Sequence, residues 1–187
     1  LVIDDGAPDG TGGIADRLAG ERDDVDVLHR ERKEGLGPAY LAGFRRALEM
    51  GADLVMEMDC DFSHNPADVP RLVAAAEDAD AVLGSRYASG GGTRNWGLVR
   101  RLISRGGSLY AQILLGLRIR DLTGGLKVHR RAVLETTDLK AIHSKGYAFQ
   151  IETTYRALKA GFRVVEVPIV FVDRRAGLRL RGSGHCV

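Results

Sequence analysis

Two hydrophobic rhythms alternate along the chain. Short runs of aliphatic and β-branched residues recur at Leu1 to Ile3, Val25 to Leu28, Leu54 to Met58, Ala81 to Gly84 and Val164 to Val172. Each predicts a buried or half-buried strand. Between them, apolar residues return every three or four positions. Leu41, Phe44 and Leu48 share one helical face, Arg45, Arg46 and Glu49 are left to solvent, and Gly51 supplies a stop. Asn65 before Pro66 caps a further helix whose buried stripe is Leu72, Val73 and Ala76. Ser89 to Thr93 reads as a glycine-rich loop. Long helical patterns then run from about Leu98 to Leu115 and from about Tyr147 to Ala160, the second ending at Gly161. Pro168 places the last strand at a sheet edge. The alternation predicts an α/β sandwich.

Composition narrows the class. With 187 residues, 44% of them hydrophobic and 28% charged, the chain suits one soluble domain with a sizeable core. A net charge of +2, and 6% aromatics that are not interleaved with the basic residues, argue against a nucleic-acid partner. Cys60 and Cys186 cannot build a disulfide framework, which favours a reducing compartment. The longest apolar run, around Ile113 to Leu117, falls far short of the roughly 18 residues of a membrane span, so membrane contact is expected to be peripheral. Leu1-Val2-Ile3-Asp4 reads as the end of a strand already under way.

Two of the predicted strands run into acid, Asp4-Asp5 and Asp59-Cys60-Asp61. In parallel α/β sheets ligands bind at the carboxyl ends of strands, so both pairs are expected on one rim. An Asp-x-Asp there either caps the following turn or brings two carboxylates to one hard cation, Mg²⁺ or Mn²⁺, gripping a diphosphate. Strand alternation points the Cys60 side chain into the core. In Asp4-Asp5-Gly6-Ala7-Pro8-Asp9-Gly10-Thr11, glycine and proline force a tight turn, and Asp9 and Thr11 anchor the next helix. The run Arg94, Arg100, Arg101 and Arg105 reads by itself as a solvated helix face, although Arg100 and Ser104 form an i,i+4 pair able to contact one phosphate. His64, His129 and His143 read as turn or surface histidines.

Together with Lys33-Glu34-Gly35-Leu36-Gly37, Gly84-Ser85-Arg86-Tyr87, Asn95-Trp96, Asp121-Leu122-Thr123-Gly124-Gly125 and Gly146-Tyr147-Ala148-Phe149-Gln150-Ile151-Glu152, these motifs resemble the polyprenol (dolichyl) phosphate mannose synthases. These are inverting family 2 glycosyltransferases. The resemblance runs from Leu1 to about Gly177 and implies a Rossmann-like GT-A fold, a mostly parallel sheet flanked by helices. It implies transfer of mannose from GDP-mannose to a polyprenyl or dolichyl phosphate at the cytoplasmic face of a membrane, assisted by Mg²⁺ or Mn²⁺. By the same resemblance Asp4 and Asp5 contact the nucleoside. Asp59, Cys60, Asp61 and Arg174 lie along the nucleotide sugar, and Asp59, Asp61 and Ser63 surround the metal. Arg86, Arg100 and Ser104 cradle the acceptor phosphate, with Asp61 and Arg86 at the reaction centre. Asp121, Thr123, Gly124 and Gln150 match positions near sugar and acceptor.

The match departs at both ends. Family members begin with a further strand and a Pro-x-Tyr-Asn-Glu type of nucleotide-gripping loop, so an open sheet edge is expected beside Leu1 to Ile3 and the donor is expected to bind weakly. Residues 1–177 read as the catalytic domain and 178–187 as a tail without the family's basic Ser-Lys-Met segment. Two alternatives remain: a related transferase using another donor such as UDP-glucose, and a non-catalytic nucleotide-binding module.

Overall fold

A computed structural model describes residues 1–32, 34–142, 144 and 146–173. Arg174, His143, Cys186 and the tail lie outside the described residues. Strand β1 (Val2–Asp4), helix α1 (Thr11–Glu21), β2 (Val27–His29) and α2 (Leu36–Glu49) form the first part. Then come β3 (Leu54–Glu57), α3 (Val69–Ala75), β4 (Ala81–Ser85), β5 (Gly92–Arg94) and α4 (Leu98–Leu115). The last elements are β6 (Lys127–Arg130), α5 (Arg131–Thr136), α6 (Tyr147–Lys159), β7 (Val164–Pro168) and β8 (Val170–Val172).

The central sheet has the order β3-β6-β4-β7. β6 is antiparallel to both β3 and β4, so those two run the same way, and β7 lies parallel to β4 at the edge, where Pro168 needs no ladder partner on its outer side. β1–β2 and β5–β8 are separate parallel pairs. Three of the five strand pairings are thus parallel, with helices on both faces. β1 and β3 share no ladder; between them lies a cavity of about 240 Å³ lined by Leu1, Ile3, Tyr40, Phe44, Val55 and Glu57 among others.

Strand alternation sorts the core into faces. Val55 of β3 packs with Tyr40, Leu41 and Phe44 of α2 and Phe149 of α6, where the Tyr40 and Phe149 rings stack 5.6 Å apart. Leu54 and Met56 turn the other way, toward Leu72 of α3, Val82 and Val128. Leu83 joins Ala111 of α4, Ile151 and Leu158.

Several expectations need correction. Val164 to Val172 is two strands, because Ile169 sends its N–H to the Ser85 carbonyl and β8 then pairs with β5, inside the stretch read as loop. β6 shows no apolar run: only Val128 faces the α3 cluster, while Lys127 and His129 are buried on the opposite side. Val73 is 40% exposed, so α3 buries Leu72 and Ala76 alone of its expected stripe. Cys60 is exposed, because β3 stops at Glu57 and alternation does not carry into the turn. Of the histidines expected in turns or at the surface, His64 lies in the turn after β3 but is buried, and His129 is buried within strand β6, at neither.

Candidate functional site

Asp59 and Asp61 leave the carboxyl end of β3 as Arg86 leaves that of β4, so all three emerge on one rim of the sheet. The Asp121 to Gly125 turn links the two places. A Cβ on Gly124 would stand 3.2 Å from the Gly84 carbonyl, and one on Gly125 would stand 3.5 Å from Asp59 Oδ2. Glycine lets the backbone at Gly124 lie close against β4, whereas a Cβ at Gly125 would make ordinary contact.

At the β3 end, Tyr40 Oη donates to Asp59 Oδ1 at 3.3 Å, and His64 Nε2 lies 3.8 Å from Oδ2. Burial, reinforced by the charges of Glu57 and Asp59, pushes the Tyr40 hydroxyl well above its ordinary value, so it stays a donor. Asp61 Oδ1 accepts the Ser63 N–H at 3.0 Å, closing the turn that the sequence offered as the alternative to a metal grip. Phe62 within that turn has φ 63° and is 95% exposed, an unusual backbone for a bulky residue. Ser63 Oγ is buried and makes no hydrogen bond among the described residues.

At the β4 end, Arg86 is 7% exposed and locked in place. Asp121 Oδ2 accepts its backbone N–H at 2.9 Å and its Nε at 2.7 Å, Oδ1 accepts Nη2 at 2.6 Å, and Thr123 Oγ1 accepts Nη2 at 2.8 Å. Burial opposes the charge, but the Asp121 carboxylate outweighs it and holds the guanidinium above its ordinary value. The rings of Tyr87, Trp96 and Phe171 stand 5.3–5.7 Å from the guanidinium carbon. Gly91 permits the turn after β4, since a Cβ there would meet the Ser85 carbonyl at 2.5 Å.

The other expected acceptor residues gather at the same aromatic cluster. Arg100 stacks on Trp96 at 4.5 Å and donates to Asp173 at 2.6 Å, while Ser104 Oγ accepts from Tyr87 Oη at 2.8 Å. The i,i+4 pair thus has separate protein partners around a common ring system. Trp96 Nε1 is buried without a hydrogen bond among the described residues.

Asp4 and Asp5 are held at the β1 end. Asp4 accepts from Ala7 N at 3.0 Å and lies 3.0 Å from His29 Nδ1, and Asp5 is buried against Arg30. Asp9 accepts both the backbone and the hydroxyl of Thr11 and anchors α1, as its spacing predicted. Beneath the rim, Lys127 is fully buried opposite Glu57 in the strand register and donates to the Gln150 carbonyl at 2.7 Å and Thr154 at 3.0 Å. Burial pulls its ammonium down to about 8. Gln150 Nε2 donates to Glu57 at 3.2 Å, so this side chain serves the buried network.

Sequence reasoning missed Tyr40, His64 and Phe171. Tyr40 lies 19 positions before the aspartate it touches, and no local motif joins them.

As donors for a metal, Asp59 and Asp61 suit an oxygen-seeking ion. No group of three or more His, Cys, Asp or Glu converges among the described residues. Two carboxylates completed by phosphate oxygens and water is the arrangement Mg²⁺ and Mn²⁺ accept, rather than an all-protein cage.

The family model described as glycosyl transferase family 2 matches residues 1–137. The chain is 52% identical over 177 residues to an undecaprenyl-phosphate mannosyltransferase of Micrococcus luteus, covering 95% of this chain and 73% of that one. It is 50% identical over 186 residues to a polyprenol monophosphomannose synthase of Mycolicibacterium smegmatis, covering 98% and 70%. Among solved structures, glucosyl-3-phosphoglycerate synthase of Mycobacterium tuberculosis with phosphoglyceric acid superposes at TM-score 0.65 with 20% identity, over 95% of this chain and 60% of that one. The same enzyme with Mn²⁺, UDP-glucose and phosphoglyceric acid gives TM-score 0.62 and 21% identity, again over 95% and 60%.

Proposed function

Because this chain belongs to glycosyl transferase family 2, we propose that it transfers mannose from GDP-mannose to a polyprenyl phosphate with inversion at the sugar. The observation that carries this reading is the 52% and 50% identity, over nearly the whole chain, to two relatives named for mannosyl transfer to a polyprenyl carrier. The rim geometry suits it. Asp59 and Asp61 offer carboxylate oxygens to a divalent cation that would balance a diphosphate, and the cations Arg86 and Arg100 collect with Ser104 around Trp96 and Tyr87, which suits an anionic acceptor.

Asp59 and Asp61 would hold Mg²⁺ or Mn²⁺, which when bound neutralises the charge of the departing diphosphate. The residues supply the rest. A polyprenyl phosphate is already anionic near neutral pH, so an oxygen of it attacks the anomeric carbon without a protein base. The new O–C bond forms as the bond to GDP breaks, and GDP leaves with the electron pair. The task of the protein is to hold the two substrates in line and to fix charge in advance. Arg86 is suited to that, because Asp121 and Thr123 fix its guanidinium before any substrate arrives.

A membrane surface as the source of acceptor is supported by α4. Its Leu98, Val99, Leu102, Ile103 and Ile113 are each 69–75% exposed, with Arg100, Arg101 and Arg105 between them, and the helix buries only Ser108 and Ala111. Apolar side chains mixed with arginines suit a helix lying in a lipid interface. No helix of the described residues is long and apolar enough to cross a membrane.

The test is product formation. Purified protein, polyprenyl phosphate in detergent and Mn²⁺ are incubated with radiolabelled GDP-mannose or UDP-glucose, and the lipid phase is analysed. Labelled lipid from GDP-mannose, dependent on the metal, is expected. Label from UDP-glucose alone overturns the donor, and none from either overturns the reading.

A further inference from the structure

We infer that His64 is a positioning residue for the metal grip, its Nε2–H securing Asp59 through Oδ2 once that carboxylate takes up a divalent cation. The inference rests on the reading of Asp59 and Asp61 as metal ligands and assigns a role to a residue beyond them.

His64 is out of place by ordinary rules. Its side chain is 1% exposed, and neither ring nitrogen has a hydrogen-bond partner among the described residues. Buried polar groups without partners are rare and costly, and each calls for an explanation. Packing does not supply one. The ring meets Phe171 edge-on with centroids 5.2 Å apart, and a phenyl ring would make that contact with no nitrogens to strand.

The carboxylate near it is Asp59, and the separation is informative. At 3.8 Å, Nε2 to Oδ2 exceeds a hydrogen bond by well under 1 Å. Among the described residues, the other oxygen of Asp59 accepts one long bond, 3.3 Å, from Tyr40. Asp59 therefore stands between two donors, neither of them fully engaged, and a small rotation of the carboxylate completes the bond to the imidazole.

The chain around His64 is fixed firmly enough to aim it. The Ser63 N–H is tied to Asp61, the Ser63 carbonyl accepts from Val172, and Asn65 caps the following turn through Ala67. Asp59 lies just before the Asp61–Ser63 turn, in which Phe62 has positive φ. A rigid donor beside a ligating carboxylate is the usual support of a metal site, and its loss typically lowers metal affinity 10- to 100-fold.

The experiment is Mn²⁺ titration of the purified chain in the presence of GDP, reading free Mn²⁺ by electron paramagnetic resonance, with thermal unfolding measured on the same samples without metal. The wild-type chain, His64→Phe and His64→Gln are compared. The Phe variant is expected to unfold at the wild-type temperature or above while binding Mn²⁺ about 10- to 100-fold more weakly. The Gln variant, which keeps an amide donor, is expected to recover most of that affinity. Equal Mn²⁺ affinity in wild type and Phe variant overturns the role of His64 and leaves the metal grip standing. Failure of the wild-type chain to bind Mn²⁺ with GDP overturns the grip itself. Loss of folding in the Phe variant also overturns the inference, since it would show that the ring does structural work in the metal-free chain.

Discussion

Replacing Asp121 by alanine removes the acceptor for three bonds from Arg86, of 2.9, 2.7 and 2.6 Å, and leaves Thr123 Oγ1 as the remaining acceptor described for that guanidinium. Both side chains are out of solvent, 6% and 0% exposed, so water cannot fill in without opening the cluster. Stripping one partner from a buried ion pair costs about 3–5 kcal/mol. The Tyr87, Trp96 and Phe171 rings, 5.3–5.7 Å away, soften the loss by cation–π attraction, which places the expectation at the lower end, about 3 kcal/mol. In a chain of this size that corresponds to roughly 6–12 °C in unfolding temperature. Urea unfolding followed by Trp96, the single tryptophan and itself beside Arg86, reports the change where it occurs. Arg86→Met combined with Asp121→Leu removes both charges and should cost much less than Asp121→Ala alone, because no charge is left buried. A loss below about 1 kcal/mol for Asp121→Ala, or a double variant as unstable as the single one, refutes the argument.

Other tests address the buried network, the grip and the lipid face. Lys127 has its pKa lowered from 10.5 to about 8, so between those values the unfolded chain holds a proton that the folded chain has released. Stability should therefore rise with pH across that window, by up to about 3 kcal/mol, and Lys127→Met should abolish the rise in urea midpoints. Asp61→Ala is expected to abolish metal-dependent transfer while leaving the unfolding free energy from urea titration within about 1 kcal/mol of wild type; unchanged activity would sink its assignment. Leu102→Glu with Ile113→Glu should cut flotation with anionic vesicles by at least about tenfold without loss of helix content, and undiminished flotation would remove α4 from the membrane contact.

How far the sequence was legible depended on whether a residue acts through its neighbours in the chain or through distant ones. The helix expected over Leu98 to Leu115 forms with those bounds, because its signal is a local period. What the period could not tell is that this apolar stripe faces outward, since a core stripe and a lipid-facing stripe have the same spacing. β6 escaped for the converse reason. Its inner face is polar, and Lys127 and His129 are buried only because Glu57, Gln150 and Thr154 meet them from other elements. The pattern of apolar residues carries no trace of such a strand.

The site divides in the same way. Asp59 and Asp61 were legible because two carboxylates at a strand end are a local feature. The bond from Tyr40 to Asp59 was not, nor was the locking of Arg86 by Asp121 across 35 positions. That second contact changes what Arg86 can be. An arginine read from sequence is a mobile cation free to seek phosphate; the arginine in the structure is buried, its guanidinium oriented in advance by three hydrogen bonds to Asp121 and Thr123. If the proposed acceptor phosphate binds there, it would meet a fixed guanidinium rather than a flexible side chain, so less ordering would remain to be done on binding. Arg100, half-exposed and joined to Asp173 by one bond, keeps the freedom to rearrange. Under the proposed acceptor role, the two arginines beside Trp96 would divide the task, Arg86 orienting the phosphate and Arg100 adjusting to it.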